Sequence, residues 1–130
     1  MLEESQVLTP IAVTDLDRAA TFYKETLGLE PASGDHDDNI VILQTKQGQK
    51  IGLHVTETAG SEHTLAVFMV KDLAAAMAEL RAKGIIFFNY DTPDLKTVDG
   101  IATTPTFRCA WFGDPDGNIL SITELTRSHA

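Results

Sequence analysis

Apolar and polar residues alternate in two helical patterns that resemble each other along the chain. The apolar residues on one face of the first pattern are Leu16, Ala19, Ala20, Tyr23 and Leu27. Those of the second pattern are Leu73, Ala76, Met77 and Leu80. Asp15 and Asp72 precede the patterns, and Gly28 and Gly84 follow them. Because aspartate caps the free N–H groups of a first turn and glycine adopts the left-handed conformation that ends a helix, the sequence predicts two helices.

Extended apolar stretches surround each predicted helix in the same order. Residues 7–13 and 65–70 precede the helices, and residues 29–32 and 85–88 follow them. Two hairpins then pair residues 40–45 with 50–56 and residues 107–112 with 119–124. The second hairpin turns at Asp114-Pro115-Asp116-Gly117-Asn118, where proline presets one φ angle and glycine supplies a positive one. The sequence therefore predicts an α+β fold of two β-α-β-β-β modules, about 5–58 and 63–126, in a single domain of residues 1–130.

The composition narrows the functional classes. The 130 residues include 19 acidic and 10 basic side chains, and the net charge of −9 argues against a nucleic-acid partner. Cys109 is the one cysteine, which excludes a disulfide framework and a zinc site of several thiolates. The longest apolar run, residues 65–70, is far shorter than the roughly 20 residues that cross a bilayer. The first residues lack the basic and apolar regions of an export signal, so we expect a cytoplasmic protein with no membrane partner.

One segment breaks the symmetry between the two predicted modules. Residues 91–106 show no clear periodicity. Irregular segments of this length are uncommon in compact domains and often form lids or binding loops. A solvated connection or a dimer contact is an equally good interpretation of this segment.

The chain resembles the vicinal oxygen chelate superfamily, which includes glyoxalases, extradiol dioxygenases and bleomycin-resistance proteins. The likeness lies in residues 11–16, 22–23 and 27–29, in residues 70–73, 80 and 83–84, and in residues 110–118, which contain the Asp-Pro-Asp-Gly-Asn turn. The resemblance implies paired modules whose mixed sheets curl around a shared cavity. It also implies that a homodimer completes this cavity.

The resemblance further implies four positions that hold a divalent metal in the enzymes of this superfamily. In this chain they are occupied by Leu8, Leu65, Gly52 and Ser121. Two leucines and a glycine offer no donor atom to a metal. We therefore expect no metal and no other cofactor, which argues against glyoxalase and dioxygenase chemistry that uses the metal as a Lewis acid or oxygen-binding centre.

Strand alternation extends the face on which these four positions lie. The residues predicted to bind a ligand on this face are Leu8, Pro10, Gly52, His54, Leu65, Val67, Met69, Ser121 and Thr123, with Ala12 and His63 beside them. The residues predicted to pack under the helices are Val7, Ile11, Val13, Leu53, Ala66, Phe68, Val70, Leu120 and Ile122. Trp111 and Phe112 are adjacent and point to opposite sides of their strand, so one of them should face the cavity, and the sequence does not decide which. Trp111, a predicted ligand-binding residue, could stack there on a planar ligand, and an equally good interpretation places the pair in the core. A mostly apolar face with a few polar atoms is typical of sites for small organic molecules.

The titratable residues leave several interpretations open. His54 is the one candidate catalytic residue, as a hydrogen-bonding partner of a ligand or a general base, although a rim histidine bonded to water is the simpler interpretation. His54, His63 and Glu57 define a conceivable substitute metal site. Cys109 is expected to be a buried, inert thiol, because its neighbour Arg108 points to the opposite face of the strand. His36 and His129 are expected in a loop and in the C-terminal tail.

Three functions remain consistent with these observations. The leading one is a metal-free protein that binds a small organic molecule in a largely apolar cavity, and the acidic charge would slightly favour a cationic ligand. The alternative is a lyase, isomerase or dioxygenase-type enzyme that uses a displaced metal site or His54 as a base. The third is a non-catalytic partner protein that uses the fold as a dimerisation platform.

Overall fold

A computed structural model describes residues 1–36 and 39–126 of the chain, so His129 lies outside the described residues. A 3-10 turn at Leu2–Glu4 precedes the first half, which contains β1 (Leu8–Val13), α1 (Leu16–Thr21) with a π-helical continuation at Phe22–Thr26, β2 (Glu30–His36), β3 (Ile40–Gln44) and β4 (Lys50–Val55). The second half contains β5 (Thr64–Met69), α2 (Leu73–Ala82), β6 (Ala102–Thr103), β7 (Phe107–Gly113) and β8 (Ile119–Leu125). The backbone of His36 belongs to β2, so its predicted place in a loop was wrong.

The strands form two four-stranded mixed sheets with the same topology. Sheet 1 has the order β1-β4-β3-β2, in which β1 is parallel to β4 and the other pairs are antiparallel. Sheet 2 has the order β5-β8-β7-β6, in which β5 is parallel to β8 and the other pairs are antiparallel. Neither sheet is closed. The predicted α+β fold with a repeated β-α-β-β-β pattern is confirmed.

The described chain divides into two compact units whose boundaries differ from the sequence repeat. Unit 1 contains Met1–Ser61 together with Asp114–Asn118, and unit 2 contains Glu62–Gly113 and the residues from Ile119 onward. The turn that joins β7 to β8 therefore belongs to unit 1, although both strands belong to unit 2. The sequence repeat alone does not reveal this assignment.

The helix boundaries follow the residues that predicted them. The carboxylate of Asp15 accepts a hydrogen bond from the backbone N–H of Arg18, and that of Asp72 accepts one from Ala75, both at 3.0 Å. Gly28 and Gly84 have φ angles of 79° and 95°, in the left-handed region that L-residues rarely adopt. The predicted helix positions are therefore confirmed.

The alternation predicted for the strands is confirmed in the core. Ile11, Val13, Leu53 and Leu120 are fully buried, and Ile122 nearly so. Val7 is 84% exposed, so its predicted packing under a helix was wrong. It precedes β1, and the ladder that aligns β1 with β4 begins only at the next residue.

Residues 85–88, which the sequence predicted to be a strand, do not form one in the structure. Only the backbone N–H of Phe88 bonds to β7, at 2.8 Å from the carbonyl oxygen of Trp111. The apolar character of this stretch reflects side-chain packing instead, because the Phe87 ring is buried in a T-shaped contact with Phe112 at 5.7 Å. The fourth strand of sheet 2 is Ala102–Thr103, inside the segment that the sequence predicted to be irregular.

A carboxylate on β8 anchors the start of α2. Glu124 accepts hydrogen bonds from the backbone N–H of Leu73 at 3.0 Å and from Nη2 and Nε of Arg108 at 2.9 and 3.2 Å. The Leu73 hydrogen bond and then the Arg108 guanidinium lower the pKa of Glu124 from its usual range. Because the folded state lowers this pKa, the ionised carboxylate stabilises the fold above the pKa of the unfolded chain. That stabilisation is lost as the pH falls through the lower pKa of the folded state.

We expect Glu124→Gln to lower Tm by a few degrees at pH 7 and to have little effect at a pH below the folded pKa of Glu124. The glutamine removes the charge that both Arg108 and the positive end of the α2 dipole favour. Thermal unfolding followed by circular dichroism across pH 2 to 8 measures the difference. Glu79→Gln, on the exposed side of the same helix, is the matched control. An effect of Glu124→Gln that stays the same from pH 8 down to pH 2 would contradict the assignment.

Candidate functional site

Two rows of paired residues define one face of sheet 2. The sequence placed most of its predicted ligand residues on this face. Val67, Ser121 and Trp111 form one row across β5, β8 and β7, and Met69, Thr123 and Cys109 form the next. Paired residues of neighbouring strands project from the same side of a sheet. We call these six residues the ligand face of sheet 2.

The structure shows which member of the aromatic pair lies on this face. Phe112 is only 1% exposed and contacts the buried Phe87, so it belongs to the core. Trp111 is paired with Ser121 and lies on the ligand face of sheet 2, where it is partly exposed. Its ring makes a T-shaped contact with Tyr90 at 5.5 Å between ring centroids.

The contact with Tyr90 extends into a row of three aromatic rings. Phe88 and Tyr90 make a second T-shaped contact at 6.4 Å, and the backbone of Phe88 is bonded to that of Trp111. We call Phe88, Tyr90 and Trp111 the aromatic row. Sequence reasoning assigned Phe88 no role in the site, and it suggested Tyr90 only as a residue at the start of the irregular segment that could line an entrance. The signal that could have found both rings is their spacing of two, which places them on the side opposite Phe87.

Large apolar side chains on this face are exposed. Val67 is 51% and Met69 is 59% exposed; Val67 lies inside β5 and Met69 ends it, at the edge of sheet 2. Leu65 is also exposed, but the register of β5 shifts between Thr64 and Ala66, so the ladder does not fix the side on which Leu65 projects. Contiguous exposed apolar groups beside aromatic rings are characteristic of binding surfaces.

Two hydroxyl groups interrupt this apolar surface. Oγ of Ser121 is 3.3 Å from Oγ1 of Thr123 and 3.4 Å from the carbonyl oxygen of Ile122, so both of its contacts are long. Ser121 is 2% exposed, whereas Thr123 is partly exposed and can reach a bound molecule. Either oxygen can be the donor in their mutual contact, so the pair can offer a donor or an acceptor to a ligand.

The thiol of Cys109 shows the environment that the sequence predicted. It is buried, and its burial raises the pKa of the thiol. Arg108 pairs with Glu124 on the other side of the strand. The thiol is therefore kept protonated, and the geometry offers no group that would activate it.

Sheet 1 carries the other predicted ligand residues. Pro10 is paired with Gly52, and Ala12 with His54, across β1 and β4. A Cβ atom at Gly52 would lie 2.9 Å from Cδ2 of Leu8, so the leucine side chain covers the glycine. The apolar side chain at one of the four positions implied for a metal therefore fills the space above a second one.

His54 is a partly exposed imidazole that makes no hydrogen bond or ion pair with the residues described. It lies between Ala12 on β1 and Ile40 on β3 in the ladder. Among the residues whose side chains the structure describes, no three His, Cys, Asp or Glu side chains lie close enough to hold a metal ion. The substitute metal site of His54, His63 and Glu57 was therefore wrong, because the fold does not bring these three side chains together.

The Asp-Pro-Asp-Gly-Asn turn is more than a reversal of the chain. Oδ1 of Asp114 accepts hydrogen bonds from the backbone N–H groups of Asp116 and Asn118 at 2.9 and 2.8 Å. Oδ2 accepts from the Tyr23 hydroxyl at 2.7 Å and from Nδ2 of Asn118 at 2.8 Å. Burial and the neighbouring Asp114 charge raise the pKa of Tyr23, so the phenol stays protonated and donates. The side chains of all of these residues are buried, including that of Asp116 at 4% exposure, and the cluster has a structural role in unit 1.

Further hydrogen bonds hold the same turn to the rest of unit 1. Nδ2 of Asn118 donates to the carbonyl oxygen of Ala12 at 2.9 Å. Oδ1 of Asp116 accepts from the backbone N–H and the hydroxyl of Thr14 and from Nη2 of Arg18 at 3.0 Å. The turn therefore fixes the end of β1 and the start of α1, and sequence reasoning missed this because the partners are distant along the chain.

No helix in the described part of the chain is long and apolar enough to cross a bilayer. A search of curated proteins found no match. Many solved structures share the fold. A superfamily member from Sphaerobacter thermophilus DSM 20745 aligns with a TM-score of 0.74 at 21% identity, covering 95% of this chain and 99% of that one.

Two structures from Streptomyces sp. CB03234 are also similar. TnmS3, described as an antibiotic binding protein, has a TM-score of 0.72 at 22% identity and covers 97% of this chain and 99% of its own. A glyoxalase/bleomycin resistance protein has a TM-score of 0.64 at 22% identity and covers 91% and 98%. A family model of the glyoxalase/bleomycin resistance protein/dioxygenase superfamily matches residues 5–122. The chain therefore belongs to the glyoxalase/bleomycin resistance protein/dioxygenase superfamily.

Proposed function

We propose that this protein binds a small, planar organic molecule on the ligand face of sheet 2, without a metal and without transforming it. The observation that carries the proposal is the exposure of Val67 and Met69 beside the partly exposed Trp111. A planar ligand that covers about 100 Å² of this apolar surface would gain roughly 2.5 kcal/mol from burial alone. Stacking on the indole ring would add about 1 kcal/mol.

The polar part of the proposed ligand follows from the chemistry of the two rows. Their side chains are Val67, Ser121 and Trp111, then Met69, Thr123 and Cys109, and none of them is charged. An ion held against this surface would lose hydration without gaining a partner of opposite charge. The Thr123 hydroxyl suits a carbonyl or hydroxyl group of a neutral molecule. The uncharged face therefore favours a neutral ligand over the cationic one that the net charge alone would favour.

We include Leu8, Pro10, Gly52 and His54 of sheet 1 and Leu65 of β5 as ligand-binding residues, and we expect one domain acting as a cytoplasmic homodimer. Similarity to TnmS3, an antibiotic binding protein, supports binding as a function in itself. Sedimentation equilibrium measures the oligomeric state.

Trp111 provides a direct test of the proposed site, because it is the one tryptophan of the chain. We expect planar neutral aromatic compounds to change its fluorescence in a saturable way. Val67→Glu should weaken this binding about tenfold or more, because it places a charge in the apolar contact. The matched control is Val7→Glu, the same change at a position that is 84% exposed and precedes β1.

Two outcomes would contradict the proposal. One is a well-folded protein whose fluorescence responds to no member of a panel of planar neutral and cationic compounds. The other is an equal loss of affinity in Val67→Glu and Val7→Glu, which would place the bound molecule elsewhere.

A second candidate function is an enzyme of the lyase, isomerase or dioxygenase type in which His54 acts as the base. The observation that favours it is the imidazole of His54, which has no partner among the described residues and remains partly exposed. Conversion of a bound compound by the wild type, and its loss in His54→Ala, separates an enzyme from a binding protein, and elemental analysis of the purified protein tests separately for a metal. A stoichiometric transition metal that is lost in His54→Ala would overturn the metal-free proposal.

A further inference from the structure

The segment that follows α2 and Phe88 is a compact, hydrogen-bonded structure, here called the strap and defined as residues 89–101. Its first part is a hairpin in which Thr97 donates its backbone N–H to the carbonyl oxygen of Tyr90 at 2.9 Å, and Asp91 pairs with Lys96. Its tip closes at Thr92, whose backbone N–H and hydroxyl bond to Leu95. The sequence predicted an irregular segment here. Tight turns and bonds to single side chains leave no periodic pattern of apolar residues in a sequence, so this structure could not be predicted.

Thr97 and Asn89 form the centre of the strap. The Thr97 hydroxyl accepts from the backbone N–H of Tyr90 at 2.8 Å and donates to Oδ1 of Asn89 at 3.2 Å. The same Oδ1 accepts from the backbone N–H of Gly100 at 2.9 Å. Two side chains therefore fix the backbone on both sides of Tyr90 and connect it to the far end of the strap.

The far end of the strap is itself held in place. Val98 and Ile101 exchange backbone hydrogen bonds of 2.9 and 3.0 Å around a tight turn at Asp99 and Gly100, with φ angles of 53° and 81°. Nη2 of Arg81 donates to the carbonyl oxygen of Asp99 at 3.0 Å. These contacts connect the strap to α2, so it is a fixed element rather than a free loop.

The hydrogen bonds of the strap hold the ring of Tyr90 in position. Tyr90 is the only strap residue with a ring in the aromatic row, and its edge-on contact with Trp111 has an interplanar angle of 87°. A ring in edge-on contact occupies part of the space around the indole, so its position restricts what else can contact Trp111. The geometry of the strap thus bears directly on what can lie against Trp111.

We propose that the strap determines the ligand selectivity of sheet 2, with Asn89 and Thr97 as positioning residues that hold Tyr90 against Trp111. This inference rests on the proposed function, since selectivity requires that a ligand bind at Trp111. In this proposal the strap forms a rigid wall of the site, and this wall restricts the ligands to flat aromatic molecules.

Thr97→Val tests the proposal, because valine keeps the shape of threonine and removes the hydroxyl that bonds Tyr90 and Asn89. The matched control is Thr92→Val, in the same strap, whose hydroxyl bonds only Leu95. The first readout needs no ligand: near-ultraviolet circular dichroism of Trp111, with Tyr90→Leu as the reference for complete loss of the ring contact. We expect Thr97→Val to shift the spectrum towards that of Tyr90→Leu and Thr92→Val to leave it unchanged.

The second readout uses flavone and flavanone, two neutral probes that differ in one double bond and hence in planarity. We expect the wild type to bind flavone more tightly, and Thr97→Val to reduce the ratio of the two affinities about fivefold, the loss expected when one aromatic contact is misplaced. Asn89→Ala provides a second variant with the same expected effects if Thr97→Val does not fold.

The outcomes separate the two proposals. If the spectrum and the affinity ratio of Thr97→Val and Asn89→Ala match those of the wild type, the strap does not position Tyr90 and the inference is wrong. If the spectrum changes but neither probe binds the wild type, the positioning role stands and binding of planar molecules at Trp111 is refuted. If Thr92→Val changes both readouts as much as Thr97→Val, the effect comes from general loosening and the assignment of Thr97 fails.

Discussion

Asp114→Ala is expected to destabilise the fold by about 4 kcal/mol, because it leaves several buried donors without an acceptor at about 1–3 kcal/mol each. The lost acceptor serves the Tyr23 hydroxyl, Nδ2 of Asn118 and two backbone N–H groups. Tyr23 is fully buried and Asn118 is 1% exposed, so water cannot replace the carboxylate without opening the structure. A loss of this size is a large fraction of the 5–15 kcal/mol that stabilises an ordinary domain.

Tyr23→Phe separates one part of this effect. It removes a single hydrogen bond to a charged group and should cost about 2 kcal/mol. In the double variant with Asp114→Ala, the total loss of stability should be smaller than the sum of the losses in the two single variants. The reason is that the phenol hydroxyl that Asp114→Ala leaves unsatisfied is then absent. Urea unfolding followed by circular dichroism measures all three changes.

Asp94→Ala is the control for the charge change, since Asp94 is exposed in the strap. It should change the free energy of unfolding by less than about 0.5 kcal/mol. A stability of Asp114→Ala within about 1 kcal/mol of the wild type would show that the buried cluster is not needed for the fold.

Truncation of the adjacent residues Trp111 and Phe112 should reduce the stability of the fold by very different amounts. Phe112→Ala is expected to cost about 3–5 kcal/mol, because it opens a cavity beside Phe87 in the core. Trp111→Ala should cost only about 1 kcal/mol, because the ring is partly exposed and its main recorded contact is with Tyr90.

The loss of binding affinity should show the reverse order. Folded molecules of Phe112→Ala should lose less affinity than Trp111→Ala. Trp111→Ala should reduce the affinity for flavone at least about tenfold, since it removes the proposed stacking surface. Titration calorimetry is the suitable measurement because this variant has no tryptophan to report binding. If Trp111→Ala were as destabilising as Phe112→Ala and kept its affinity, Trp111 would be a core residue with no part in binding.

Periodicity explains why the helices and most strands could be predicted. Apolar residues recur with helical spacing between Asp15 and Gly28 and between Asp72 and Gly84, and the capping residues mark both ends. Strand alternation also separated buried residues such as Ile11 from exposed ones such as Val67. These features are local, so a single sequence contains them.

The parts that could not be predicted depend on partners distant in sequence. Asp114 bonds to Tyr23, which lies 91 positions earlier, and no local pattern announces that pair. The position of β6 depends on which backbone meets Cys109 and Arg108, and the apolar residues 85–88 were the more obvious candidates for that strand. The adjacent rings of Trp111 and Phe112 could not be assigned to faces until the register with Ser121 and Leu120 was known.

The membership of Asp114–Asn118 in unit 1 has a consequence for how this chain can change. The sequence repeat suggests two interchangeable halves, yet a fragment ending at residue 61 would contain Tyr23 without its acceptor. Any rearrangement that exchanges, duplicates or splits the halves must therefore carry the β7–β8 turn with the first half. The two halves repeat one pattern, but the bond between Tyr23 and Asp114 makes the first half incomplete without the turn.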